Sequence, residues 1–287
     1  MRDIEAKKIT ETVKDLCIQA NYELSDDVLY LLNEALKKER SANAREIIRE
    51  LISNADIAKK VRYPICQDTG LALVFIELGQ DVRITGGDPL RREASLTEAI
   101  NEGVSRGYTE GYLRKSVVGD PFQRKNTNDN TPALIHTEIV PGDKIKITFM
   151  AKGGGCENVG AYKMFKPGVN KEEIEDFIVE TVKAAGPNSC PPIIVGVGIG
   201  GNQEYSSLLA KRALIRQVRK LNSNKEMHKM EKDILGKIND LGIGPVGLGG
   251  TITALAVHIE TAPCHIASLP VTVSIDCHAH RVKETVI

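Results

Sequence analysis

The sequence predicts a mixed α/β fold: a helical N-terminal segment (residues 1–60) packed on a mixed-sheet α/β body (residues 61–287) as one compact unit. Three observations carry this. Apolar residues recur at helical spacing through the first 60 positions. Beyond them come short apolar runs, such as Leu71-Ala72-Leu73-Val74-Phe75-Ile76, with the length of buried strands. Those runs alternate with capped helical stretches and Gly/Pro turns, and no internal repeat or low-complexity linker intervenes.

Ile9, Val13, Leu16, Cys17 and Ala20 form the apolar stripe of a first helix, on which Cys17 reads as a core thiol. Ser25 is placed to cap a second helix carrying Val28, Leu31, Leu32 and Leu36. Ser41 is placed to cap a third through Ile47, Ile48, Leu51 and Ile52. Strands are expected near 71–78 and 81–85, with Gly86-Gly87-Asp88-Pro89 as a turn. Ser95 and Glu98 make a capping box that opens a helix through Ile100, Val104 and Tyr108 towards Arg114. Residues 119–132, rich in Asn, Asp, Gly and Pro, read as a surface loop.

Strands follow near 133–140 and 144–151, across the turn Pro141-Gly142-Asp143. Asn170 is placed to cap a helix to Ala185, and Ile193-Ile194-Val195 reads as a strand. Helices are expected over 205–220 and 226–240. Residues 251–257 and 270–275 read as the last strands, with a loop over 261–265 between them.

Lys plus Arg number 38 and Asp plus Glu 38, so no broad field favours nucleic acid or an anionic membrane. No apolar run approaches the roughly 20 residues that cross a bilayer, and the N-terminus lacks an apolar signal core. A cytoplasmic protein is expected, with neither nucleic acid nor membrane as partner. A chain of this length buries about 75% of its unfolded surface on folding and needs no disulfide staples. The six cysteines (17, 66, 156, 190, 264, 277) therefore read as reduced, buried or metal-bound. No Cys-x-x-Cys pair suggests a zinc ribbon or a thioredoxin-type centre.

The chain is organised around Pro64-Ile65-Cys66-Gln67-Asp68-Thr69-Gly70, which puts a thiol, an amide, a carboxylate and a hydroxyl in a tight loop before a strand. Cys66, Cys190 and Cys277 each lie beside a strand among polar or Pro/Gly residues. Three thiolates suit an iron–sulfur cluster with one iron left open; three unlinked structural thiols are the plainer reading. His278-x-His280 beside Cys277 suggests zinc, but residues two apart on a strand face opposite ways.

Two glycine-rich stretches invite other readings. Lys152-Gly153-Gly154-Gly155-Cys156 is either a connector or a place where backbone N–H groups approach an anion. Gly196-x-Gly198-x-x-Gly201, after a strand and before a helix, has the outline of a dinucleotide fingerprint. It lacks the second strand ending in an acidic residue about 20 positions on. A dinucleotide-binding oxidoreductase is the rival class it supports.

Pro-Ile-Cys66-Gln-Asp-Thr-Gly, Ala-Lys152-Gly-Gly-Gly155, Cys190-Pro-Pro and Cys277-x-x-x-Arg281 together resemble class I, iron–sulfur-dependent fumarate hydratases. Within them the chain is most similar to alpha subunits of the two-subunit form and of L(+)-tartrate dehydratase. The resemblance implies a [4Fe–4S] cluster held by Cys66, Cys190 and Cys277. It places Gln67, Asp68, Arg114, Gly155 and His265 at the substrate site, with Asp68 and His265 in catalytic roles. The family commonly has Ser where Cys156 stands, which makes Cys156 a rival ligand by chemistry. Single-chain members continue into a further domain. The resemblance therefore implies a separate beta subunit, a dicarboxylate substrate (fumarate and malate, or tartrate) and a higher oligomer. The reaction expected is reversible hydration of fumarate to L-malate, and tartrate dehydration is its alternative.

Overall fold

A computed structural model describes residues 1–86 and 95–287; the turn expected at residues 87–89 lies outside them. In chain order the elements are β1 (Arg2–Glu5), α1 (Ala6–Tyr22), α2 (Asp26–Lys38), α3 (Ala42–Val61), β2 (Leu71–Gly79), β3 (Val82–Thr85) and α4 (Leu96–Glu110). Then come β4 (Leu134–Val140), β5 (Ile145–Lys152), the single turn α5 (Gly154–Glu157), β6 (Ala161–Phe165) and α6 (Lys171–Ala185). The chain closes with β7 (Ile193–Gly201), α7 (Gln203–Ile215), α8 (Lys225–Asp240), β8 (Ala254–Cys264), β9 (Leu269–Asp276) and β10 (Val282–Val286). Helices and mixed sheets alternate, as the sequence predicts for the class.

The chain divides into two compact units. Unit 1 comprises Met1–Ser25, Ala55–Gly153 and Arg281–Ile287; unit 2 comprises Asp26–Asn54 and Gly154–His280.

In unit 1, β1 pairs parallel with β3. A four-stranded sheet runs β10-β5-β2-β4, with β2–β4 parallel and the other pairs antiparallel. Helices α1 and α4 supply its core with Ile9, Val13, Ile100, Val104 and Tyr108 against Val74, Ile147 and Phe149. The two helices touch because α4 carries glycines one turn apart. A Cβ on Gly103 would stand 2.7 Å from Val13 Cβ, and one on Gly107 2.6 Å from Cys17 Cβ. Cys17 is fully buried in this contact, as a core thiol should be, and burial pushes its pKa well up. The Ser95–Glu98 capping box opens α4 with both of its reciprocal bonds formed.

In unit 2, the sheet order is β6-β9-β7-β8, with β7–β8 parallel and the other pairs antiparallel. Asn170 caps α6 by accepting from Glu173 N. The fingerprint glycines are not in a turn but inside β7. A Cβ on Gly196 would lie 2.3 Å from Ala210 O, and one on Gly198 2.0 Å from Ser206 O. They let α7 lie on the strand. Three more boundaries differ from expectation. Helix α7 stops at Ile215, Thr261–Cys264 extends β8 instead of looping, and Arg2–Glu5 is a strand before the first helix.

Candidate active site

Unit 1 presents the loop of residues 64–70 between α3 and β2. Ile65 N donates to Asn21 O (2.9 Å). Thr69 Oγ1 donates to Arg114 O (2.5 Å), and Tyr108 Oη donates to Thr69 O (2.6 Å). Buried Asn130 donates through Nδ2 to Gly70 O (3.2 Å), while its Oδ1 accepts from Ser116 N and Val117 N. Gly70 has φ +72°, and a Cβ there would stand 2.6 Å from Lys152 O, so glycine alone closes this loop onto β5.

Within the loop, Gly70 N donates to Asp68 Oδ1 (3.0 Å), an Asx turn that orients the carboxylate. Arg281 Nη1 donates to the Asp68 carbonyl. Arg281 Nη2 and Asp68 Oδ2 each lie 3.2 Å from the point where a Cβ on Gly153 would stand, so that glycine leaves them room. Arg281 and Lys152 are each 1% exposed, two buried cations in one unit with the loop. Cys66 is half-buried and its thiol faces Gln67 Oε1 at 3.6 Å. Gln67 is exposed. So is Arg114, whose guanidinium makes no hydrogen bond or ion pair among the described residues.

Unit 2 holds the other two thiols of the expected ligand set. Cys190 closes a 3-10 turn (Gly186–Ser189) and is exposed, with φ +51°. A non-glycine residue in the left-handed region costs about 1–2 kcal/mol, and such strain gathers at functional positions. The turn is braced on both sides. Cys190 N donates to Pro187 O (3.0 Å), and Val246 N donates to Pro191 O (2.8 Å). Cys277 is buried just past β9. The next residue ties the two together: His278 N and Nδ1 lie 3.4 and 3.0 Å from Cys190 O. A carbonyl only accepts, so Nδ1 carries the proton. His280 points elsewhere, its Nδ1 2.7 Å from Asp276 Oδ2. The two histidines thus serve different partners, although residues 277–280 bend after β9 and do not continue it as a strand.

Cys156 lies in α5, and its thiol donates to Ser189 O (3.4 Å). Its sulfur, the Cys277 sulfur and an Asp276 carboxylate oxygen all lie within 4.8 Å of one another, and all three residues are buried. Gly155 sits on the same turn, 3.6 Å from Asn188 O at its would-be Cβ. Gly154–Glu157 is therefore helical, not an open glycine loop. His265 is exposed in the turn between β8 and β9, where Nδ1 accepts from Ala267 N (3.1 Å).

The structure thus gathers Cys66, Gln67, Asp68 and the Arg114 carbonyl in unit 1, and Gly155, Cys190 and Cys277 in unit 2. Tyr108, Asn130 and Arg281 brace the first group but were legible only as an apolar helix position, a loop residue and part of a motif. The donor chemistry fits an iron–sulfur cluster: Cys66, Cys190 and Cys277 are thiols in no disulfide, and Cys190 and Cys277 are coupled through His278.

Comparison with known proteins points to one family. The Fumerase family, described as "Fumarate hydratase (Fumerase)", matches residues 10–286. A protein of Methanocaldococcus jannaschii named "Putative L(+)-tartrate dehydratase subunit alpha" is 41% identical over 279 residues, covering 96% of this chain and 95% of the relative. The L(+)-tartrate dehydratase subunit alpha of Escherichia coli is 31% identical over 278 residues, covering 96% and 89%. No helix among the described residues is long and apolar enough to cross a membrane.

Proposed function

The chain belongs to the Fumerase family of fumarate hydratases, and from that premise we propose that it is the alpha subunit of a class I hydro-lyase. It adds water to fumarate to give L-malate, and reverses that reaction, in complex with a beta subunit. The observation that carries this is the family match over residues 10–286, joined to a braced loop that offers Cys66 and Asp68 together.

Cys66, Cys190 and Cys277 are the residues that would hold a [4Fe–4S] cluster. Such a group supplies a Lewis acid that polarises the substrate hydroxyl and one carboxylate. The remaining work falls to side chains. Asp68, oriented by Gly70 N, exchanges the proton at the carbon next to the hydroxyl-bearing one. Arg114 is exposed and well suited to a bidentate carboxylate clamp. His265 and the Gly155 backbone supply further donors where negative charge builds up. Gln67 lines the same site.

A second reading, L(+)-tartrate dehydration, is favoured by the names of the relatives. Its substrate carries one more hydroxyl, and the same groups would serve it. The test reconstitutes the chain anaerobically with iron, sulfide and the beta subunit, then measures steady-state rates on fumarate, L-malate and L(+)-tartrate. Fumarate and malate turnover with about four irons per chain, lost in Cys66→Ser, Cys190→Ser and Cys277→Ser, is expected. Tartrate turnover far above malate turnover selects the second reading. Iron uptake that ignores all three cysteines sinks both.

A further inference from the structure

We propose that Cys156, Asp276 and Cys277 form a binding site for one thiophilic divalent cation of the zinc type. The three donor atoms lie within 4.8 Å of one another. A tetrahedral zinc with Zn–S bonds of about 2.3 Å places two thiolates roughly 3.8 Å apart. The pair therefore has to close by about 1 Å at most, within reach of a side-chain rotation.

Each donor is placed by the fold of unit 2. Cys156 is on the single turn α5, where its thiol meets Ser189 O. Asp276 ends β9 and Cys277 follows it. The residues are 4%, 1% and 8% exposed, so the donors converge in a dry place. His280 Nδ1, 2.7 Å away, donates to Asp276 Oδ2 and fixes the carboxylate plane. That is the outer-shell support that metal-ligating carboxylates have.

The chemistry selects the cation. Two thiols and a carboxylate are a soft, strongly charged set that prefers zinc-like ions to magnesium or calcium. Two sulfurs and a carboxylate oxygen meeting in a buried place are a donor set whose charge a bound cation offsets. Three protein ligands leave a fourth position for water.

The spacing also separates this site from a cluster. Thiolates on different irons of a cubane radiate from different corners, whereas the Cys156 and Cys277 sulfurs lie within 4.8 Å of each other, a separation that suits one ion. Cys277 belongs to both sets, so cation and cluster exclude each other. That exclusion rests on the function proposed above; the cation site does not.

Cobalt(II) is the probe, titrated anaerobically into the cluster-free full-length chain. One equivalent should bind, with thiolate-to-cobalt charge transfer in the near ultraviolet and the visible bands of a tetrahedral ion. Zinc should displace it. Cys156→Ser, nearly isosteric, should weaken binding by about 100-fold or more, since even lost outer-shell support costs 10–100-fold. Cys264→Ser should leave it unchanged. A missing charge-transfer band, or one that survives Cys156→Ser, overturns the site.

Should Cys156→Ser fold poorly, zinc protection of wild type decides instead. Slower alkylation of Cys156 and Cys277, but not of exposed Cys264, supports the site; equal alkylation overturns it. Iron reconstitution separates the two ideas. Zinc should block cluster uptake in wild type and not in Cys156→Ser. A cobalt spectrum with no iron uptake in any variant would leave the cation site standing and remove the cluster reading.

Discussion

Arg281→Met tests whether the Cys66 loop is held from beneath by a buried cation. The arginine is 1% exposed, and its Nη1 donates to the Asp68 carbonyl. Methionine refills much of the stem volume, so little cavity cost is expected. What disappears is a charged hydrogen bond, worth about 1.5–3 kcal/mol, and a cation close to the Asp68 carboxylate. The sum is a loss of about 2–3 kcal/mol. For a chain of this size each kcal/mol moves the melting temperature by about 2–4 °C, so calorimetry should show a fall of about 5–10 °C. The loop should loosen more than the rest. Alkylation of half-buried Cys66 should accelerate several-fold in the metal-free protein, while that of Cys264, exposed in the other unit, should not change. Arg281→Lys should recover part of the stability and little of the Cys66 protection, because an ammonium lacks the planar fork. A loss below about 0.5 kcal/mol, the level of ordinary surface changes, with Cys66 reactivity unchanged would refute the bracing role.

Further expectations follow from packing and burial. Gly198→Ala puts a Cβ 2.0 Å from Ser206 O and should cost about 3 kcal/mol or more in urea unfolding. Gly236→Ala, in α8 with nothing within 4 Å, should stabilise by about 0.5–1 kcal/mol. His258 sits between Ala213 O (3.0 Å) and Val218 O (3.1 Å), two acceptors that favour the charged ring, but burial, then Arg216, outweighs them and lowers its pKa to about 4. Unfolded histidine takes up a proton near pH 6.5, one that the folded state refuses until about pH 4. Stability should therefore fall as pH drops through that window, by about 3 kcal/mol in all. His258→Gln should flatten this slope; an unchanged slope would assign the acid sensitivity to other groups.

Much of this fold was legible because local rules and tertiary packing agree. The Ser95–Glu98 box, the Asn170 cap and the apolar stripe of α1 are read from spacing alone, and the structure forms all three. The loop of residues 64–70 was legible as a bracketed polar run. Its support was not, since Tyr108 has the same periodicity as its apolar neighbours in α4. Only the fold shows that its hydroxyl reaches Thr69 O. Asn130 was hidden for the opposite reason. It lies in a stretch whose composition says surface, yet it is fully buried and joins two loops through three hydrogen bonds. The convergence of Cys156 on Asp276 and Cys277 spans well over a hundred residues of sequence, and no periodicity records such a pairing.

The glycines show why the same residue type resists reading from sequence, and what that does to the rival function. Gly70 is required by its positive φ and by its approach to Lys152 O. Gly153 has no such φ; it is small because Arg281 and Asp68 occupy the space a Cβ would need. Gly103 and Gly107 admit one helix to another, and Gly196 and Gly198 admit a helix to a strand. A dinucleotide fingerprint works through a glycine turn whose backbone meets a pyrophosphate at a helix N-terminus. Here the first two glycines lie within β7, and the atoms against them are Ala210 O and Ser206 O of α7. Carbonyl oxygens and a packed helix leave no place for an anion there. The oxidoreductase reading thus loses the motif it stood on. If Gly198→Ala destabilised the chain and calorimetry still detected dinucleotide binding to wild type, the packing account of β7 would stand and this last inference would fall.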